Sequence, residues 1–98
     1  MRLPIFLRPE ATQDVVDARH YYETRREGLG EAFLDRLNDV LARIQDMPKL
    51  YGITWRNVRA ARLRRFKHVL YYRIHDDRVE VLGVLHGSRD SSVWRTRA

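Results

Sequence analysis

Between Met47 and His75 the chain carries no carboxylate, while Lys49, Arg56, Arg59, Arg62, Arg64, Arg65, Lys67 and Arg73 are all cationic. His86 and Arg89 follow a short way on. Of the 19 cationic side chains only Lys49 and Lys67 are lysines. That preference matters, because the guanidinium is a rigid fork of donors that fits a phosphate or a carboxylate, whereas an ammonium is a hydrated point charge. The pattern points to an acidic or phosphate-bearing partner: nucleic acid phosphates, or the carboxylates of an acidic protein segment. The plainer account is a solvated basic surface on turns and strand ends. His86 can move a proton near neutral pH, but a strand-end histidine satisfied by neighbouring backbone is its more common reading. His20, His68 and His75 stand at no spacing from carboxylates that would hold a metal, and no metal or other cofactor is expected. With no cysteine, disulfides, thiolate chemistry and Cys-ligated zinc are excluded.

The elements that must position these residues follow from periodicity. Leu3 to Leu7 is a short apolar segment interrupted by Pro4, which suits an edge strand. Pro9 sits well at a first helical position, Glu10 complements the helix N-terminus, and Ala11, Val15, Ala18 and Tyr22 recur at helical spacing. Gly28-Leu29-Gly30 allows a reversal. Phe33, Leu37, Val40, Leu41 and Ile44 then mark a second helix, stopped near Asp46 by Pro48. So short a link predicts an antiparallel hairpin of helices, with Asp14, Asp17, Glu23, Asp35 and Asp39 facing water. Residues 49–57 read as a loop pinned by Tyr51 and Trp55. Three strands follow, Val58 to Leu63, His68 to His75 and Arg78 to His86, rich in Val, Leu, Ile and Tyr. The expected fold is α+β, in the order β-α-α-β-β-β. A three-stranded antiparallel meander completes a four-stranded sheet with the N-terminal strand, and a short C-terminal helix is allowed.

Asp76 and Asp77 separate the last two strands and accept turn conformations, so a two-residue hairpin fixes the register. His75 then faces Arg78, Arg73 faces Glu80, Tyr72 faces Val81 and Lys67 faces His86, where its charge would disfavour a protonated imidazole. The Arg64-Arg65-Phe66-Lys67 turn falls at the same end of the sheet as His86. Arg62, Arg64, Arg65, Lys67, His86 and Arg89 are therefore expected around one rim.

A chain of 98 residues, 44% apolar, is one domain's worth of material, read as a single domain over 1–98. No apolar run approaches the roughly 20 residues that span a bilayer, and MRLPIFLRP lacks a signal-peptide cleavage site, so a cytoplasmic protein is expected, with no membrane partner.

From Val58 onward the chain resembles the RelE/ParE toxin superfamily, specifically its ParE-like branch, often described as plasmid stabilisation proteins. The resemblance is carried by Arg62, Arg65-Phe66, the VLYYRI run from Val69 to Ile74 and VEVLGVLHGSRD from Val79 to Asp90, the last being the most specific. Ala11, Asp14, Val15, Tyr22, Phe33, Leu37, Pro48 and Gly52 fit the family's looser helical pattern. The resemblance implies a type II toxin encoded beside an antitoxin that neutralises it, with an acidic segment expected in that partner. ParE-like members poison DNA gyrase without known catalysis of their own. RelE-like relatives cleave mRNA on the ribosome, which in this chain would ask His86 for acid–base work and Arg62, Arg65 and Arg89 for the phosphate. Many such nucleases carry a Tyr or His near the C-terminus, where this chain has Trp94, able to stack on a base but not to move a proton. Gyrase binding is thus the leading expectation. Arg62, Arg64, Arg65, Lys67, His86, Arg89, Trp94 and Arg97 are the expected contacts to the target or its phosphates.

Overall fold

The computed structural model describes residues 2–98. Strand β1 (Ile5–Leu7) leads into helix α1 (Pro9–Glu23) and helix α2 (Leu29–Asp46). Strands β2 (Ile53–Trp55), β3 (Val58–Arg62), β4 (His68–Ile74) and β5 (Val79–His86) follow, and helix α3 (Ser92–Arg95) ends the chain. Pro9 occupies the start of α1 with Glu10 in its first turn, and Gly28 takes φ +86° immediately before α2, a backbone region that costs other residues. The Glu23 carboxylate accepts the N–H groups of Gly28 and Gly30, at 3.0 and 2.9 Å, so the end of α1 caps the start of α2. Those two backbone bonds hold its carboxyl below the ordinary range. Glu23 was expected simply to face water.

The sheet has five strands in the order β1-β5-β4-β3-β2, not four. The added strand β2 comes from the stretch expected to be loop and pairs antiparallel with β3. The N-terminal strand lies at an edge as expected, but it runs parallel to β5, so the sheet is mixed. This follows from the hairpin: α1 and α2 form an up-and-down pair that returns the chain to the far edge, and the meander then works back to β1. The helices cover one face, where Tyr22, Phe33, Leu37, Val40 and Ile44 pack on Ala61, Leu70, Tyr72, Val81 and Val84. On the opposite face a smaller cluster joins Val58, Leu82, Leu85 and Trp94. Among the described residues no helix is long and apolar enough to cross a membrane.

Near its turn the β4–β5 hairpin has the expected register. The His75 N–H donates to the Arg78 carbonyl at 2.8 Å, Arg73 pairs with Glu80 and Tyr72 with Val81. Beyond that point Leu82 has no partner on β4 and the register slips by one residue, so His86 pairs with His68 instead of Lys67. A bulge of this kind reverses which side chains face the helices. Val84 and His86 turn toward α1, and Leu82 and Leu85 toward Trp94.

Candidate functional site

The turn that joins β3 to β4 is closed by a Phe66 N–H bond to the Leu63 carbonyl at 2.9 Å, which leaves Arg64 and Arg65 at its centre. Arg65 takes φ +73°, where a side chain is strained and glycine is the usual occupant. Arg62 ends β3, and from α2 the half-buried Arg36 reaches the same place. The four arginines and Phe66 line a cleft of about 590 Å³. Arg36, Arg62, Arg64 and Arg65 have no carboxylate within ion-pair distance among the described residues, while Arg2, Arg8, Arg19, Arg73, Arg78 and Arg97 all do. Asp35 and Asp39 line an adjoining hollow that shares Arg36, Arg65 and Phe66 with this cleft.

His86 and Arg89 stand at the same end of the sheet but in a different, smaller cleft of about 190 Å³, between β5 and α1. Its polar lining adds Asp14, Asp17, Tyr21 and His68. The expected rim is therefore two sites, the arginine cluster on one side and His86 with Arg89 on the other. Tyr22 lies between them, its ring 4.9 Å from Phe66 and 5.2 Å from His68. Lys67 is exposed in the turn, and what it contributes to this region is its backbone: its carbonyl accepts the Gly87 N–H at 2.7 Å and its N–H donates to Tyr22 Oη at 2.9 Å.

Within the smaller cleft the rings of His68 and His86 lie 5.7 Å apart. Tyr22 Oη accepts the Lys67 N–H, and His68 Nδ1, 2.8 Å away, is the one acceptor in reach of its proton among the described residues, so the hydroxyl donates to that nitrogen. Burial, and then the neighbouring His86, bring the His68 pKa from 6.5 down to about 4, so the ring is neutral at physiological pH. His86 Nδ1 accepts the Ser88 N–H at 3.1 Å, with Ser88 Oγ at 2.8 Å. Among the described residues no group of three or more His, Asp or Glu is placed to hold a metal.

Two expected contacts are corrected. Trp94 is 4% exposed and stacks on Tyr71, with ring centroids 4.5 Å apart, because α3 folds onto the sheet face that Leu82 and Leu85 present. It is a core residue, unable to offer a free face to a base. Arg97 donates to Asp14 at 2.6 Å and to the Leu82 carbonyl at 3.0 Å, with its side chain only 15% exposed, so its charge is spent inside the fold. Asp14, expected to face water, also accepts the Val84 N–H at 3.1 Å, a β5 donor left open where β1 ends. Arg36, Tyr21, Tyr22 and His68 went unread as site residues. Helical spacing places Tyr22 in the core but says nothing of its hydroxyl, and only the bulge brings His68 to His86.

A family model of the ParE toxin of type II toxin-antitoxin systems, parDE, matches residues 5–91. The chain belongs to the ParE toxin family. The matched stretch holds every cationic residue of the two clefts and stops short of Trp94 and Arg97. Among solved structures, the chromosomal ParDE TA system from P. aeruginosa superposes with a TM-score of 0.75 at 11% identity, covering 87% of this chain and 96% of that one. The YoeB dimer from Staphylococcus aureus gives 0.62 at 19% identity, covering 88% and 98%. The YoeB-YefM complex from the same organism gives 0.59 at 19% identity over the same shares. These neighbours share the fold of this ParE-family toxin. Among curated proteins none matches the chain.

Proposed function

We propose that this ParE-type toxin inhibits DNA gyrase by binding the enzyme or the DNA it holds, without cleaving anything itself, and that a cognate antitoxin neutralises it. The observation that carries the reading is the cluster of Arg36, Arg62, Arg64 and Arg65, left without internal partners around one cleft. Buried or paired arginines stabilise a fold. Unpaired ones gathered at a strained turn are what a polyanionic target would use. No proton-carrying side chain lines that cleft; His86 lies in the other one. For the antitoxin, the net charge of +6 favours an acidic partner. Exposed Val16 on α1, with Phe6 and Ile53 on the two edge strands, are apolar surface that a wrapping helix and strand would cover.

A ribosome-dependent mRNA endoribonuclease is the second reading, favoured by one feature, the His68–His86 pair in a cleft with Arg89. Purified toxin free of antitoxin divides the two. Gyrase-dependent DNA cleavage, reduced at least tenfold by Arg62→Ala with Arg65→Ala, is the expected result. Cuts at codon positions in translated mRNA without DNA damage would replace the first reading with the second.

A further inference from the structure

The smaller cleft holds N–H donors that nothing in the fold uses. His68 is 8% exposed, and with Nδ1 accepting from Tyr22 its proton sits on Nε2, which has no partner among the described residues. His86 is likewise protonated on Nε2, because Nδ1 accepts the Ser88 N–H. Arg89 adds an unpaired guanidinium. Acceptors are present too: Asp17 takes one bond, from Gln13, at Oδ1 and keeps its other oxygen, although Asp14 is consumed by Arg97 and Val84. Val84 and the Tyr21 ring give the cleft apolar surface.

A free phosphate fits this lining poorly, since two carboxylates share the wall and both imidazoles can donate while uncharged. A purely apolar group would cover these donors without pairing them, at a cost. The complement is a planar group with acceptors and donors along one edge and an apolar face, which describes a nucleobase. A volume of about 190 Å³ admits one such ring system and no duplex.

We propose that this cleft receives a single unpaired nucleobase, its edge on His68, His86 and Asp17, from a strand whose phosphates lie on Arg36, Arg62, Arg64 and Arg65. The Tyr22 and Phe33 rings, each within 6 Å of both Phe66 and His68, lie between the two clefts. The inference rests on the reading that the arginine cluster meets gyrase-held DNA, and it adds that this DNA is locally single-stranded. The low proton affinity of His68 keeps it a neutral donor, matched to an uncharged base.

The test is titration of the full chain, labelled with ¹⁵N-histidine, with a short single-stranded DNA of mixed sequence. An abasic sugar–phosphate strand of equal length and inorganic phosphate serve as the other probes. Only the base-bearing strand should move the ring-nitrogen signals of His68 and His86, and it should bind at least about tenfold more tightly than the abasic strand. His68→Gln keeps an acceptor for Tyr22 and should lose about tenfold for the base-bearing strand and nothing for the abasic one; His86→Ala, at a half-buried strand end, gives the same contrast if His68→Gln does not fold. Equal affinity for both strands with His68 unmoved overturns the base pocket and leaves the phosphate reading standing. Gyrase inhibition without DNA binding by the free toxin overturns the pocket and leaves a protein-contact reading of gyrase. An antitoxin peptide that moves His68 where DNA does not would reassign the cleft to the antitoxin.

Discussion

Arg65 is held at φ +73° in a turn that would be more comfortable with glycine there. Replacing it with glycine should raise stability by about 1 kcal/mol, visible as a higher thermal midpoint, while gyrase-directed activity falls. If Arg65→Gly lowers the midpoint instead, the side chain is holding the turn and its backbone conformation says nothing of function. His68 makes the opposite argument, a side chain whose environment penalises charge. An unfolded chain protonates this histidine near pH 6.5, whereas the folded one resists until about pH 4, chiefly through burial and then through His86. Between those values the unfolded state binds more protons, so the contribution is complete above pH 6.5 and is lost as pH falls toward 4, by no more than about 3 kcal/mol. Denaturant midpoints measured across that window should decline for the natural chain and stay flatter for His68→Gln. Glu80 acts lower on the scale. Burial alone would raise its carboxyl, but hydrogen bonds from His75 and Arg73 bring it below its usual value, so its share of stability is present above about pH 4.5 and fades beneath it.

At the level of elements, the bulge at Leu82 decides what β5 offers to each face, and it is buttressed from the side. Val84 N–H and the Leu82 carbonyl, on either side of Gly83, are taken by Asp14 and Arg97. A Cβ on Gly83 would stand 2.7 Å from Arg97 Nη1 and 3.0 Å from Asp14 Oδ2, so the bridge and a side chain cannot both fit. Gly83→Ala should therefore cost about 2 kcal/mol and broaden the signals of the Arg97 guanidinium. Asp14→Ala, which leaves a largely buried guanidinium and an edge N–H unpaired, should cost about 3 kcal/mol. Measured losses below 1 kcal/mol for both would mean that the bridge is incidental to the strand. These contacts also mark where sequence reading stops. Helical spacing from Ala11 to Ile44, Pro9, Pro48 and the Asp76-Asp77 turn are local signals, and the elements they imply are present. The only local mark of the bulge is Gly83, a glycine inside the apolar run from Val79 to His86. Strand β2 is only three residues, too short to show an alternating pattern of its own, and exists because β3 offers it an edge. The parallel pairing of β1, the burial of Trp94 and the Asp14–Arg97 bridge each join residues far apart in the chain, which no periodicity reports.

Across the whole molecule the positive charge divides into two populations that composition cannot separate. Arg73 touches Glu80 at 2.8 Å and Arg97 touches Asp14 at 2.6 Å, so each is neutralised inside the fold. Arg62, Arg64 and Arg65 are exposed and unpaired, and they set the field a polyanion meets. Binding of single-stranded DNA by such a surface releases counterions, and the logarithm of affinity falls linearly with the logarithm of salt concentration, by about 0.7 per phosphate neutralised. Removing any one of Arg62, Arg64 or Arg65 should lower that slope by about 0.7, with little change in thermal stability. Arg73→Ala should do the reverse. It leaves the buried Glu80 with fewer partners and costs about 2 kcal/mol of stability, but the salt slope stays where it was, because that charge is already paired with Glu80. Fluorescence anisotropy across a range of salt, read beside denaturation midpoints for the same four variants, checks the division directly. A slope that drops equally for Arg73→Ala and Arg65→Ala would mean that the chain binds through its net charge as a whole, and that the arginine cluster has no privileged place in it.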